Sequence, residues 1–247
     1  MGRKLGGFLS NDSVFGQIMT RVYILVAANL MFVLCSLPIV TAGPALVALY
    51  HVMLRILRGE SELSPVREFF KGFKDNFKQA IVCWLVYLLI MAVAVIDYRF
   101  LRGMTGAAVF FKYAVAVIAI VATIIMLFLA PVMAAFADTI PHLLRNAVFF
   151  AVKNPLRVIA IAVIFGTPVA LTYLHVRYQP LYAFCWFFFG VSAVVMASSS
   201  LLIKDFEKYL PPRIPVTQED DEFGGHKGGE TPKSEKEILE EMKRLEM

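Results

Sequence analysis

The chain has 247 residues, of which 59% are apolar and only 17% charged, with a mean hydropathy of +0.69. An ordinary soluble domain is about 45–50% apolar and about 25% charged, and a soluble fold of this length would leave large apolar patches facing water. A lipid bilayer is therefore expected to cover the surface. The three cysteines, Cys35, Cys83 and Cys185, all lie in apolar runs and offer neither a disulfide framework nor a metal-ligand spacing. They read as small buried hydrophobes.

Five long stretches lack Asp, Glu, Lys and Arg: 22–54, 79–96, 113–137, 158–176 and 178–203. Crossing about 30 Å of hydrocarbon takes roughly 20 residues, so the first stretch, with 33, is long enough for two helices. Its middle, Leu37-Pro38-Ile39-Val40-Thr41-Ala42-Gly43-Pro44, carries the break: Pro38, Gly43 and Pro44 interrupt helix propagation. Pro44 suits the first turn of the second helix, with Thr41 as its cap. That helix, to about Arg58, is only about 22 Å long, so crossing requires Arg55 and Arg58 to snorkel.

Basic residues favour the cytoplasmic side of span ends. With six spans and both termini inside, Lys and Arg up to residue 213 divide 15 inside to 4 outside; if the short helix does not cross, the better five-span arrangement divides 12 to 7. Six spans are expected. A competing reading takes Val40-Thr41-Ala42 before Gly43 as a signal-peptidase site. Against it, the polar leader of some 21 residues is long and the next apolar helix follows at once.

Between the second and third spans, Phe69, Phe73 and Phe77 fall on one helical face, with Lys71, Lys74 and Lys78 in a second row. The segment reads either as an amphipathic helix in the cytoplasmic interface, its lysines near anionic headgroups, or as a linker helix packing its phenylalanines on the bundle. The third apolar stretch predicts a long helix kinked at Pro131. After it, Asp138, His142, Arg145, Asn146 and Lys153 read as a short polar connection. In the fifth span Ala162, Gly166 and Ala170 form a small-residue face suited to close helix packing. Residues 204–247 hold 8 basic and 12 acidic residues, against 16 and 7 in residues 1–203. The organisation is thus a transmembrane bundle over 1–203 and an acidic, largely disordered cytoplasmic tail over 204–247. Ser234 and Glu237 resemble a capping box opening a short C-terminal helix.

Buried ionisable groups mark relays and membrane active sites, and here only His51 lies well inside a span. No carboxylate pair, His-Glu constellation, Ser-His-Asp set or phosphate-binding loop can be assembled. No enzyme activity, cofactor, metal or nucleic-acid partner is expected. The polar groups of the broken helix pair, Asn29, Ser36, Thr41 and Tyr50, have two readings: a binding site of the kind transporters build at helix breaks, or a tight hairpin near the outer surface.

The run from Asn29 to Ala45, Asn-Leu-Met-Phe-Val-Leu-Cys-Ser-Leu-Pro-Ile-Val-Thr-Ala-Gly-Pro-Ala, followed by Ala48-Leu49-Tyr50, resembles the N-terminal signature of the YesL family of bacterial membrane proteins. The stretch from Phe69 to Ala80 resembles a second recurring segment of that family, and the likeness covers about residues 10–85. It implies no catalytic residues. It does imply a setting beside carbohydrate ABC uptake systems and glycan-degrading enzymes. The expectation is an all-α polytopic membrane bundle with six spans, a short broken second helix and an interfacial amphipathic helix. Its expected role is to assist or regulate carbohydrate uptake through contacts with ABC transporter components. The alternatives are a small neutral solute facilitator lined by Asn29, Ser36, Thr41 and Tyr50, and a membrane enzyme acting on a lipid or glycan.

Overall fold

A computed structural model describes residues 14–60, 64–103 and 105–209. Among them there is no strand, and six helical segments are long and apolar enough to cross a membrane. The fold is an all-helical, polytopic membrane bundle. Chain contacts separate a unit over 1–212 from a second over 213–247; the latter, with the expected C-terminal helix, lies outside the described residues.

Helix α1 (Val14–Ser36) ends at Leu37-Pro38, a 3₁₀ turn covers Ile39–Thr41, and α2 (Ala42–Leu57) follows. The break is where the two prolines and Gly43 place it, yet Thr41 does not cap α2. Its hydroxyl donates backwards, to the carbonyls of Cys35 (2.6 Å) and Pro38 (2.9 Å). Trp84 Nε1 donates to the Ile39 carbonyl at 2.8 Å. Acceptors that the break removes from helical pairing are thus met by side chains. Gly43 lies flat against Trp84, where a Cβ would collide with the indole.

Short as it is, α2 is the axis of the bundle, packed against α1 and against the helices Pro65–Phe100, Ala107–Ala135 and Val191–Phe206. Ala45, Val47, Ala48, Leu49, Tyr50, Val52 and Met53 are all at most 1% exposed. Gly59, at φ +93°, turns the chain out of α2 as a left-handed C-terminal residue. Arg55, expected to snorkel, instead ion-pairs with Glu60 and Glu68 and so ties the end of α2 to the start of the next helix.

That next helix, α3 (Pro65–Phe100), runs 36 residues without interruption, about 54 Å. The expected separate interfacial helix is therefore its first part. Phe69 is fully buried and stacks on Phe73, which in turn contacts Phe77. Packing these rings on the bundle removes more apolar surface from water than laying them in the interface, and it corrects the expectation in favour of its rival. Lys71, Lys74 and Lys78 stay exposed.

Helix α4 (Ala107–Ala135) contains Pro131 as expected. The stretch read as a polar connection is instead a 14-residue helix, α5 (Ile140–Lys153), with Leu143, Ala147 and Phe150 buried at i, i+4 and i+7. Polar Asn146 borders the buried stripe and apolar Val148, Phe149 and Val152 are exposed, which hid the pattern. Helix α6 (Pro155–Leu174) leads to the last span, built from α7 (Gln179–Cys185), a π-helical turn (Trp186–Gly190) and α8 (Val191–Phe206). The small-residue face of α6 is not tightly packed, since a Cβ on Gly166 would meet nothing within 4 Å. Helix α8 runs three residues past the boundary expected at 203, because Asp205 and Phe206 are buried. There Asp205 accepts from Asn154 (3.0 Å) and pairs with Arg157, clamping the start of α6 to the end of the last span.

Candidate functional site

The four polar residues of the broken pair do not converge. Asn29 is fully buried, and its amide reaches into the last span. Nδ2 donates to the carbonyls of Trp186 (3.0 Å) and Phe187 (2.7 Å), while Oδ1 accepts from the Ser192 amide (2.9 Å). A π-turn puts an extra residue into the helical ladder and leaves backbone groups mismatched. Asn29 is the side chain that satisfies them. Tyr50 bonds Ser198 across 3.0 Å, and Ser198 Oγ in turn donates to the Val195 carbonyl. Ser192 and Ser198 are six residues apart, about 9 Å along the helix, so Asn29 and Tyr50 act at different levels. Thr41 closes the hairpin, and Ser36 Oγ is buried without a hydrogen-bond partner. Asn29, Thr41 and Tyr50 thus bond within the bundle and line no common site.

A polar concavity lies elsewhere, at the end of the bundle that carries most of the lysines and arginines. It is a cleft of about 600 Å³ bounded by His51 on α2, by Asp75, Asn76 and Gln79 on α3, and by the junction from Met133 to Thr139. His51 Nε2 has no hydrogen-bond partner; the nearest carboxylate oxygen, Glu68 Oε2, is 3.6 Å away. Gly72 gives the imidazole its room, since a Cβ there would stand 2.9 Å from it. Gln79 Nε2 donates to the Asp138 carbonyl at 2.9 Å and fixes the junction against α3. Asp138 Oδ1 accepts from the Thr139 amide (2.7 Å) and lies 3.1 Å from His142 Nδ1. The Thr139 amide, with His142 adding to it, holds the Asp138 carboxyl below the ordinary aspartate range.

The cleft can hydrogen-bond a polar segment or ligand. Among the described residues no group of three or more His, Cys, Asp and Glu is placed to hold a metal ion. Sequence reasoning singled out His51 alone here, because Asp75, Gln79 and Asp138 look like ordinary solvated positions. Their meeting depends on α3 being one continuous helix and on the chain turning back at Phe136. Of the amphipathic set, Phe69 and Phe73 are packed inward, whereas Lys71, Lys74 and Lys78 present an exposed basic row on the same helix as the cleft wall.

Six apolar helices define a multi-pass membrane protein, with the polar cleft just described near its basic end. Residues 25–98 match a family model described as a protein of unknown function, DUF624. The matching stretch includes Asn29, the break, α2 and the α3 wall of the cleft. No curated protein and no solved structure matches the chain.

Proposed function

We propose that this is a non-catalytic, YesL-type integral membrane protein that assists carbohydrate uptake by contacting an ABC transporter or its ATPase at the cytoplasmic face. The observation that carries the reading is the location of the open polar surface. Asn29 and Thr41 bond to backbone and Tyr50 bonds to Ser198 inside the bundle, while the His51–Asp138 cleft and the exposed Lys71, Lys74 and Lys78 lie together at the basic end. The excess of basic residues supports assigning that end to the cytoplasm, with both chain termini on the same side. The carbohydrate setting rests on the likeness of residues 29–80 to the YesL signature, and the match over 25–98 supports a relationship of that kind.

Affinity purification of the full chain in mild detergent, from cells growing on a complex glycan, tests the proposal. ABC components are expected to co-purify, and charge reversal at Lys71 and Lys74 should remove them without unfolding the bundle. A clean, monodisperse preparation free of such components would overturn it. The solute-facilitator alternative draws no support from the separation of Asn29, Ser36, Thr41 and Tyr50. Sugar flux in proteoliposomes that falls in both Asn29→Leu and Thr41→Val would reinstate it.

A further inference from the structure

We infer that the groove between α3 and α4, bordered near the basic end by α5, is a binding site for one acyl chain of an anionic phospholipid whose phosphate is held by Lys78. The groove has a volume of about 330 Å³, and its wall is almost wholly apolar: Val82, Val86 and Ile90 on α3, Ile125 and Leu129 on α4, and Leu144 on α5. Val82 and Val86 are 51% and 54% exposed, so the groove opens sideways to the surroundings of the bundle. For a spanning bundle those surroundings are lipid tails.

Register along α3 sets the depth. Lys78, Val82, Val86 and Ile90 follow one another at four-residue spacing and form a single row on the helix. Lys78 is the last charged residue before the uncharged stretch 79–96, which places its ammonium at headgroup level. The apolar wall then begins about 6 Å below it and ends about 18 Å below it. One leaflet contributes roughly 15 Å of hydrocarbon, so the groove spans a single leaflet. Helix α5 adds Ile140 and Leu144 to the wall near the basic end.

Charge selects the headgroup. Lys78 is exposed and makes no ion pair among the described residues, and Arg145, next to Leu144, is likewise exposed and unpaired. The carboxylate of Asp138 is engaged by Thr139 and His142. An unpaired ammonium above an apolar slot suits a phosphate diester bearing net negative charge better than a zwitterionic headgroup, at about fivefold in affinity per lysine. A detergent tail or a partner helix would fill the slot without using Lys78, which makes the lysine the discriminating residue.

Native mass spectrometry of the purified full chain, titrated with phosphatidylglycerol or phosphatidylcholine, is the test. The wild type is expected to bind one phosphatidylglycerol about fivefold more tightly than phosphatidylcholine. Lys78→Gln should abolish that preference while still admitting either lipid, and Val86→Trp should fill the slot and weaken both by at least tenfold. Arg99→Gln, at the opposite end of the same helix, should behave as wild type. Equal binding of the two lipids by the wild type, or an undiminished preference in Lys78→Gln, would overturn the proposal. Displacement of the lipid by glycerol phosphate alone would do so too, since it would mean that the apolar slot contributes nothing. Lys78 is a surface residue, so its variant keeps the test decisive even if the tryptophan variant fails to fold.

Discussion

Asn29 on the first span and Phe187 on the last are joined by a 2.7 Å hydrogen bond from the Asn29 amide to the Phe187 carbonyl, 158 positions along the chain. With its bonds to Trp186 and Ser192, this one side chain holds a π-turn together and fastens the two spans. In an apolar medium an unpaired backbone group has no water to turn to.

Replacing Asn29 by leucine removes all three bonds and leaves the mismatched groups of the π-turn without a partner. Destabilisation of about 2 kcal/mol is expected from the cost of unsatisfied buried groups and the modest measured worth of intramembrane hydrogen bonds. Reversible SDS or thermal unfolding in detergent measures it. Wild-type stability in the variant would mean that the turn stands without Asn29.

Gly43→Ala places a methyl group into the Trp84 indole, which is itself held by its bond to the Ile39 carbonyl. Overpacking of this kind costs about 1–3 kcal/mol. The nearest atoms are Trp84 Cβ and Cγ, which a leucine would keep, so Trp84→Gly added to the alanine variant should recover part of the loss, and a double-mutant cycle is expected to give a coupling energy of at least about 1 kcal/mol. Strict additivity would show that the helix break does not depend on this contact.

The carboxyl of Asp138 is held below its ordinary value of 3.8 by the Thr139 amide and His142, at the start of α5. A lowered folded-state value means that the ionised form stabilises the helix start above about pH 4 and that this support fades as pH falls through the lowered value. Hydrogen-exchange protection of the first turns of α5, corrected for intrinsic rates, should be level from pH 7 to pH 5 and fall only once the pH is below the ordinary value of 3.8. Asp138→Asn should show the weaker protection already at pH 7. Protection identical to wild type at neutral pH would remove the carboxylate from the account.

Single cysteines at Lys74 and Arg99 occupy the two ends of the same continuous helix, about 38 Å apart along its axis. In intact cells an impermeant maleimide should label Arg99→Cys and spare Lys74→Cys until the membrane is opened. The reverse pattern would invert the proposed orientation and, with it, the side on which the cleft opens.

Composition and local order were enough to predict an all-helical bundle with six helices long and apolar enough to cross a membrane and to locate the helix break, because hydropathy and the effect of proline act within a few residues of one another. Which polar side chains meet was not legible. Asn29 pairs with residues 186–192, Tyr50 with Ser198 and Gln79 with Asp138, and each pairing depends on how separate helices stack. The same holds for α3, whose first turns continue straight into the span because Phe69 and Phe73 find a core to enter. It holds also for α5, whose helix is stabilised by burying Leu143, Ala147 and Phe150 against the bundle rather than by its own propensity. Hydrophobic burial acts through whichever surfaces come together, so those decisions belong to the tertiary structure alone.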